Sequence, residues 1–216
     1  TTIRALTTQI NLNSATEIVS KRLDIDNRAQ PKAIEFSSLG DYVYVALEGQ
    51  NSVEIRDAYT NNRAGELANT GLAPRGLVKV GDHLFVHNFM SRSVSVFDIS
   101  AFENGTGSAS QLASIDTVAT ESLHPRVLAG KQIFYNAEDA RMTQDGYISC
   151  ASCHTGAGSD NRVWDFTDRG EGLRNTISLL GRTGTGLGNV HWTANFDEIH
   201  DFENDIRYGF GGRGFI

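Results

Sequence analysis

Cysteine is nearly absent from this chain of 216 residues, which holds two, Cys150 and Cys153, three positions apart. A disulfide across that spacing would close a tiny loop and add little stability, so the pair is interpreted as a chemical motif. No apolar run approaches the roughly 20 residues that span a bilayer, which argues against a transmembrane helix. The chain has no secretory signal and begins at Thr1 without Met, so we expect a mature or trimmed product.

Positively charged residues are also fewer than negatively charged ones. The 19 Lys and Arg residues are outnumbered by 26 Asp and Glu, which gives a net charge of −7 and a pI of about 5.3. A surface of that sign repels phosphate backbones and anionic lipid, so nucleic acid and membrane surfaces are not expected partners. Hydrophobic residues make up 39% and charged residues 21%, an ordinary globular balance with room for one large domain or two small ones.

The first half of the chain contains an internal repeat with an offset of 41 residues. Gly40–Ala46 recurs as Gly81–His87, and Ser52–Asp57 recurs as Ser93–Asp98. Each copy alternates apolar and polar residues, which is typical of half-buried strands. A period of about 40 residues with several short strands per unit predicts β-propeller blades.

The repeat resembles the blades of YVTN-type surface-protein propellers in its phrases Val43–Ala46 and Asn51–Asp57. Propellers close with typically four to eight blades, whereas this chain has two repeats and one strand of an earlier blade, Glu17–Leu23. We expect a pair of blades completed by further sequence or another chain; a small open sheet packed on its neighbour is the alternative. The positions expected in the interior are Val43, Val45, Leu84 and Val86.

In the second half of the chain, the spacing of apolar residues changes from the alternation of strands to the spacing of helices. Residues 100–118 are rich in Ser, Gly and Thr and are predicted to form a linker. Pro125 suits the first turn of a helix that continues through Tyr135. A second helix should carry the cysteine motif. A third is predicted from Phe196 to Arg207, with Asn195 as its N-cap.

Cys150, Cys153 and His154 form the CxxCH motif of c-type haem attachment. On one helical turn, the two thiols reach the two vinyl groups of a porphyrin, and the imidazole lies under the iron. The competing interpretations are half of a zinc site, which would need two more ligands, and a thioredoxin-like pair, which should follow a strand in a βαβ unit. The motif predicts one haem c per chain. Because the attachment takes place outside the cytoplasm, it also predicts a periplasmic or cell-surface location.

The surroundings of the motif resemble the bacterial di-haem cytochrome c peroxidase and MauG family. Three phrases occur in the family's order over about 90 residues: Ile133–Ser149, Arg174–Leu180 and Val190–Trp192. The resemblance implies the first of that family's two haem domains. This chain departs from the family in having no second CxxCH and no histidine in Thr155–Leu173, where many members place a distal ligand. By itself it should therefore not run a peroxidase cycle efficiently.

The resemblance also implies roles for single residues. Trp192 aligns with the tryptophan between the two haems and implies an electron path, with a core aromatic as the alternative. Arg141 and Arg174 are candidates to neutralise haem propionates, with surface ion pairs as the alternative. The second side of the iron is expected to hold His191, Met142 or a water or open site. The family usually has phenylalanine at the position of His191, which is a candidate iron ligand or a catalytic acid–base group, with simple packing as the alternative. Met142 is the other candidate ligand, although a core position is also expected for it.

The sequence thus predicts a mixed fold, with all-β propeller-like blades and a linker over residues 1–118 and a mainly α c-type cytochrome domain over residues 119–216. The predicted function is electron transfer or peroxidase-like chemistry at one haem, with this chain alone acting as a relay. The alternative is a structural or binding propeller module of a larger extracellular assembly, whose haem only relays electrons. The expected partners are a redox protein or second haem domain, and further blades or copies of the chain.

Overall fold

The computed structural model describes residues 4–181 and 188–216. They form two compact units, residues 4–136, here called the sheet unit, and residues 137–216, here called the C-terminal unit. The division predicted from the sequence lies between residues 118 and 119. Each unit is described by itself below.

The sheet unit consists of short antiparallel strands and two helices. Its strands are β1 (Ala5–Thr7), β2 (Ile10–Asn11), β3 (Thr16–Glu17), β4 (Leu23–Ile25), β5 (Pro31–Phe36), β6 (Tyr42–Leu47), β7 (Ser52–Asp57), β8 (Arg63–Leu67), β9 (Pro74–Val80), β10 (His83–Asn88), β11 (Ser93–Asp98) and β12 (Ser110–Asp116). Its helices are α1 (Ser100–Glu103) and α2 (Pro125–Tyr135), with 3-10 turns at Val19–Lys21 and Glu48–Gln50.

Two four-stranded antiparallel sheets are built from the repeat, in the orders β5-β6-β7-β8 and β9-β10-β11-β12. The entry to each sheet has the same backbone geometry. Gln30 and Ala73 both have positive φ, 57° and 55°. The N–H of Glu48 donates to the carbonyl of Gln30 at 3.0 Å, and that of Phe89 donates to Ala73 at 2.9 Å. The prediction of two blade-like sheets in this part of the chain is confirmed.

The two sheets pack on each other through one apolar cluster. Its buried members are Tyr44, Ala46, Val53, Ile55 and Leu67 from the first sheet, and Leu77, Leu84, Val86, Phe97 and Ile99 from the second sheet and its end. The opposite face of the first sheet packs Val45 and Leu47 against Ala5 and Ile25 of β1 and β4. Of the four predicted interior positions, Val45, Leu84 and Val86 are buried and Val43 is partly buried. Full burial of such a side chain contributes about 1.5–3 kcal/mol.

The predicted linker over residues 100–118 is wrong in its second half, where β12 pairs with β11 as the outer strand of the second sheet. All seven residues of β12 are exposed. A strand that buries neither face carries no apolar alternation, which explains why sequence pattern alone did not reveal it. The predicted outer strand at Glu17–Leu23 is also displaced, since β4 begins at Leu23.

The C-terminal unit contains short elements joined by turns. They are α3 (Cys150–Cys153), β13 (Val163–Phe166), β14 (Gly172–Asn175) and α4 (Phe202–Asn204), with 3-10 turns at Thr155–Ala157, Thr167–Arg169 and Ile199–Asp201 and a π turn at Asp205–Gly209. The predicted mainly α cytochrome domain is therefore wrong, and with it the predicted fold class. Thirteen of the chain's 22 glycines lie after residue 136. Since each glycine lowers helix stability by about 1 kcal/mol relative to alanine, long helices are disfavoured here.

Of the three predicted helices, one has the predicted bounds and the other two differ in length or starting residue. Helix α2 spans the predicted residues, and the His124 side chain caps it by accepting from the N–H of Arg126 at 3.3 Å. The cysteine motif lies on a helix of one turn, α3. The third helix begins at Ile199, later than predicted, and its cap is Glu198 rather than Asn195. Across residues 4–181 and 188–216, no helix has the length and apolar character needed to cross a membrane.

Candidate functional site

Helix α3 holds the cysteine motif through its caps. Ser149 precedes the helix, and its N–H donates to Oγ of Ser152 at 3.0 Å while the Ser149 side chain accepts from the Ser152 backbone, a reciprocal capping box. His154 ends the helix, and its Nδ1 lies 2.8 Å from the carbonyl oxygen of Ile177. This contact fixes the orientation of the imidazole ring.

The two thiols of the motif are partly buried. Burial raises the pKa of Cys150 to about 11. Burial also raises the pKa of Cys153 to about 12, with the negative charge of Asp160 as a further cause. Both groups are therefore neutral thiols at physiological pH, and neither is activated as a nucleophile.

A second polar site pairs His191 with Glu171. Nδ1 of His191 lies 2.6 Å from Oε1 of Glu171, whose side chain is almost fully buried. The other carboxylate oxygen, Oε2, is buried and has no hydrogen-bond partner among the described residues. The imidazole stacks on Phe196 with ring centroids 5.1 Å apart and meets the Phe202 ring edge-on at 5.7 Å. The carboxylate and the rings hold His191 in one position, at a backbone φ of +76°.

A shallow groove of about 620 Å³ lies beside the β13–β14 hairpin. Its lining is mostly polar and consists of Ser159, Asn161, Asn175, Thr176, Ile177, Ser178, Leu180 and Trp192. Trp192 is exposed, and its Nε1 donates to the carbonyl of Asn175 at 2.5 Å. Trp164 lies on the hairpin, where its Nε1 donates to Asp160 at 3.0 Å and to Thr176 at 3.1 Å. Neither cysteine of the motif lines the groove.

The remaining predicted site residues have local partners. Arg141 forms an ion pair with Asp139 at 2.6 Å, and its guanidinium lies over the Phe215 ring at 4.7 Å. Arg174 donates from Nη1 to the carbonyl of Leu173 at 2.9 Å. Met142 is buried, as the core interpretation of that residue expects.

One face of the second sheet carries apolar residues on all four strands and is partly exposed. In the register of the strands, Val78, Phe85, Val96 and Ala113 form one row across all four strands. Val78 is 57% exposed, and Val80, on the same face of β9, is 61% exposed. The equivalent pair in the first sheet, Tyr44 and Ile55, is fully covered by the second sheet.

Sequence reasoning missed two of these features. Glu171 stands between two glycines and twenty positions before His191, so no local pattern joins the two residues. The open sheet face could have been found from the repeat, because the offset of 41 aligns Phe85 and Val96 with Tyr44 and Ile55.

No family model and no curated protein matches the chain. Several solved structures resemble it weakly. A provisional 6-phosphogluconolactonase from Bacteroides fragilis is 20% identical with a TM-score of 0.43, covering 53% of this chain and 35% of that protein. The periplasmic gluconolactonase of Pseudomonas aeruginosa is 15% identical with a TM-score of 0.41, over 56% and 36%. A protein of unknown function from Desulfotomaculum acetoxidans is 15% identical with a TM-score of 0.41, over 51% and 35%. This chain spans about a third of the length of these structures.

These findings correct the predicted family. Neither the di-haem cytochrome c peroxidase and MauG family nor the YVTN-type surface proteins are matched. What remains of the resemblance is the β-propeller-like architecture, which is present in the two repeat sheets themselves.

The predicted haem c is corrected as well. Within residues 4–181 and 188–216, no three His, Cys, Asp or Glu side chains come together as a metal site. The predicted axial ligands belong to separate hydrogen-bonded clusters, His154 with Ile177 and His191 with Glu171. The groove nearby is lined mainly by polar groups, whereas a porphyrin needs apolar walls. The residues present do not fit a haem. The structure therefore gives no support to the roles in binding haem, its iron or its propionates that were predicted for Cys150, Cys153, Arg141, Arg174 and Met142. A proton-transfer role for His191 stays a prediction.

Proposed function

We propose that this chain is a binding and structural module, a segment of a β-propeller that works by packing against a further sheet of the same repeat in a larger assembly. The observation that carries the proposal is the apolar row of Val78, Phe85 and Val96 across the second sheet. Val78 is exposed and Phe85 is partly exposed, whereas Val96 is buried. In the first sheet, the equivalent row is the centre of the interface between the sheets.

The chemistry of the partner follows from the repeat. Tyr44 and Ile55 are covered by the side chains of Leu84 and Val86, which point from the next sheet toward the first. A partner for Phe85 and Val96 therefore presents apolar side chains at the matching positions of its own second strand. Exposed apolar faces of this kind mark interaction sites, because leaving them in water favours aggregation. The partner is a twisted antiparallel sheet with one apolar face, and its source is either the complete protein or a second chain.

Site-specific photocrosslinking in the native host tests this proposal. We would replace Val80 with p-benzoylphenylalanine in the full-length protein and identify the crosslinked peptides by mass spectrometry. Leu39 is the matched control, because it is 84% exposed in the turn between β5 and β6. Position 80 should crosslink to a strand of another repeat sheet, and the product mass tells whether that sheet belongs to the same chain.

The expected result at position 80 is at least about tenfold more crosslinking than at position 39, and Val78→Lys should abolish the product. Equal crosslinking at both positions, or products without the repeat, would refute the proposal. A location in the periplasm or at the cell surface belongs to the same proposal. Fractionation of the native host tests it, since recovery of the protein with the cytoplasm would contradict an extracellular assembly.

A further inference from the structure

The strands β1 and β4 lie where the outer half of a further repeat sheet is expected. Ala5 pairs with Ile25 in the same antiparallel manner as Val53 pairs with Leu67 in the first sheet. Both pairs are buried and pack against the sheet that follows them in sequence. β4 also leads into β5 through a left-handed residue, Gln30, as β8 leads into β9 through Ala73.

The two inner strand positions of this sheet are vacant in the described part of the chain. Among residues 4–181 and 188–216, β1 pairs with β4 alone, so no strand of this described part lies at its other edge. The consequence is visible on β5. Leu77 in the second sheet is 8% exposed because it packs into the cluster with the first sheet, whereas its equivalent in the first sheet, Ile34, is 46% exposed. Phe36, two positions further on the same face of β5, is 54% exposed.

We infer that β1 and β4 are the outer half of a third repeat sheet, and that the free edge of β1 binds an antiparallel strand pair whose apolar face covers Ile34 and Phe36. The inference rests on the proposed propeller function but concerns the opposite end of the sheet unit. An unpaired edge offers its N–H and C=O groups to an incoming strand, which is the recognition mode called β-augmentation. The occupant is the first and second strand of a repeat of this type, because those are the two positions missing.

The chain itself provides a probe for this site. We would precede the full chain with a second copy of residues 30–51, which contain β5, β6 and the following turn. The turn and residues 1–3 connect the copy to β1 as residues 48–51 connect β6 to β7. A short connection of this kind gives the copy a high effective concentration at its site. The matched control carries the same residues in scrambled order.

The intact copy should slow amide exchange in Ala5–Thr7 by about tenfold or more and raise the melting temperature by about 4 °C. The scrambled copy should change neither. Ile34→Lys in the original β5, with the added copy left unchanged, should abolish both effects. Ile10→Lys, at an exposed residue of β2, should leave them intact.

Two results would overturn the inference: equal behaviour of intact and scrambled fusions, or protection that survives Ile34→Lys. The readout is separate from that of the proposed function. Crosslinking at position 80 reports on the open face of the second sheet, so either site can fail while the other is confirmed.

Discussion

Replacing Arg75 with leucine tests how the sheet unit stabilises the buried carboxylate of Glu48. Glu48 is fully buried, and its carboxylate forms ion pairs with Nε of Arg75 and, at 3.5 Å, with Nζ of Lys32. The guanidinium of Arg75 also lies 3.8 Å from the centre of the Phe89 ring and 4.8 Å from that of Tyr135. One side chain therefore links a buried carboxylate of the first sheet to a ring at the end of the second sheet and a ring on α2.

The magnitude follows from these contacts. Removing one partner of a buried ion pair costs about 3–5 kcal/mol, because the remaining charge stays buried. The lost cation–π contacts add about 0.5–2 kcal/mol. Lys32 still offers Glu48 a partner, so we expect a loss near the low end, about 3 kcal/mol. For a chain of this length that corresponds to a fall of about 6–12 °C in the melting temperature.

Hydrogen exchange measured by mass spectrometry provides the assay, with peptides from β6, β7, β10 and β11 reporting on the two sheets. Both tryptophans, Trp164 and Trp192, lie in the C-terminal unit, so tryptophan fluorescence does not follow the sheets directly. Arg22→Leu is the matched control, because its ion pair with Glu17 is exposed and such pairs contribute about 0–1 kcal/mol. In Arg75→Leu, adding Glu48→Gln should recover about 2 kcal/mol, since it removes the buried charge. A loss no larger than that of the control, or no recovery in the double variant, would refute the reasoning.

Three further predictions concern the core, a turn and the cysteine motif. Leu84→Ala should cost about 3 kcal/mol in urea unfolding, because Leu84 is fully buried between the sheets; a cost as small as that of exposed Leu39→Ala would contradict this packing. Gly71→Ala should lower the free energy of unfolding by about 2–3 kcal/mol, because Gly71 has a φ of +124° and a Cβ there would lie 2.6 Å from Cγ of Asn88. The control Gly40→Ala, at positive φ but in open space, should lower it by about 1 kcal/mol. Equal losses in the two variants would rule out the clash. At pH 9, iodoacetamide should alkylate the two thiols at least about tenfold more slowly in the folded protein than in urea, because burial raises both pKa values. Equal alkylation rates would contradict the burial of the thiols. The free energy of unfolding should also fall as the pH rises above 9, since the thiols lose their protons at lower pH in the unfolded chain than in the folded one.

The two repeat sheets were predictable because their side chains alternate and the same phrase occurs twice. Leu84 and Val86 on β10 alternate with outward positions, and the offset of 41 carries this pattern over from Val43 and Val45. The outer strand β12 was not predictable, because an exposed strand needs no apolar residues. Register and packing at this edge depend on the neighbouring strand rather than on local sequence.

The haem assignment shows a different limit of sequence reasoning. Cys150, Cys153 and His154 match a short motif, but a motif specifies residue types on one turn of helix and not the walls around them. The residues that form the surroundings, such as Ile177 beside His154 and Glu171 beside His191, come from distant parts of the chain. Their positions depend on the β13–β14 hairpin and the glycine-rich connections, for which the sequence offered no periodicity.

Strand β6 of the first sheet is covered on both faces, and this has a consequence for the order in which the sheet unit unfolds. Tyr44 and Ala46 point to one neighbour and Val45 and Leu47 to the other, and all four are essentially inaccessible to water. In stacked repeats, each layer is stabilised mainly by its immediate neighbours. Unravelling should therefore begin at the β1–β4 pair and at β12, and the last protected amides should be those of β6. A protease added to the native protein would accordingly trim the outer layers first and leave β5–β8 as the longest-lived fragment.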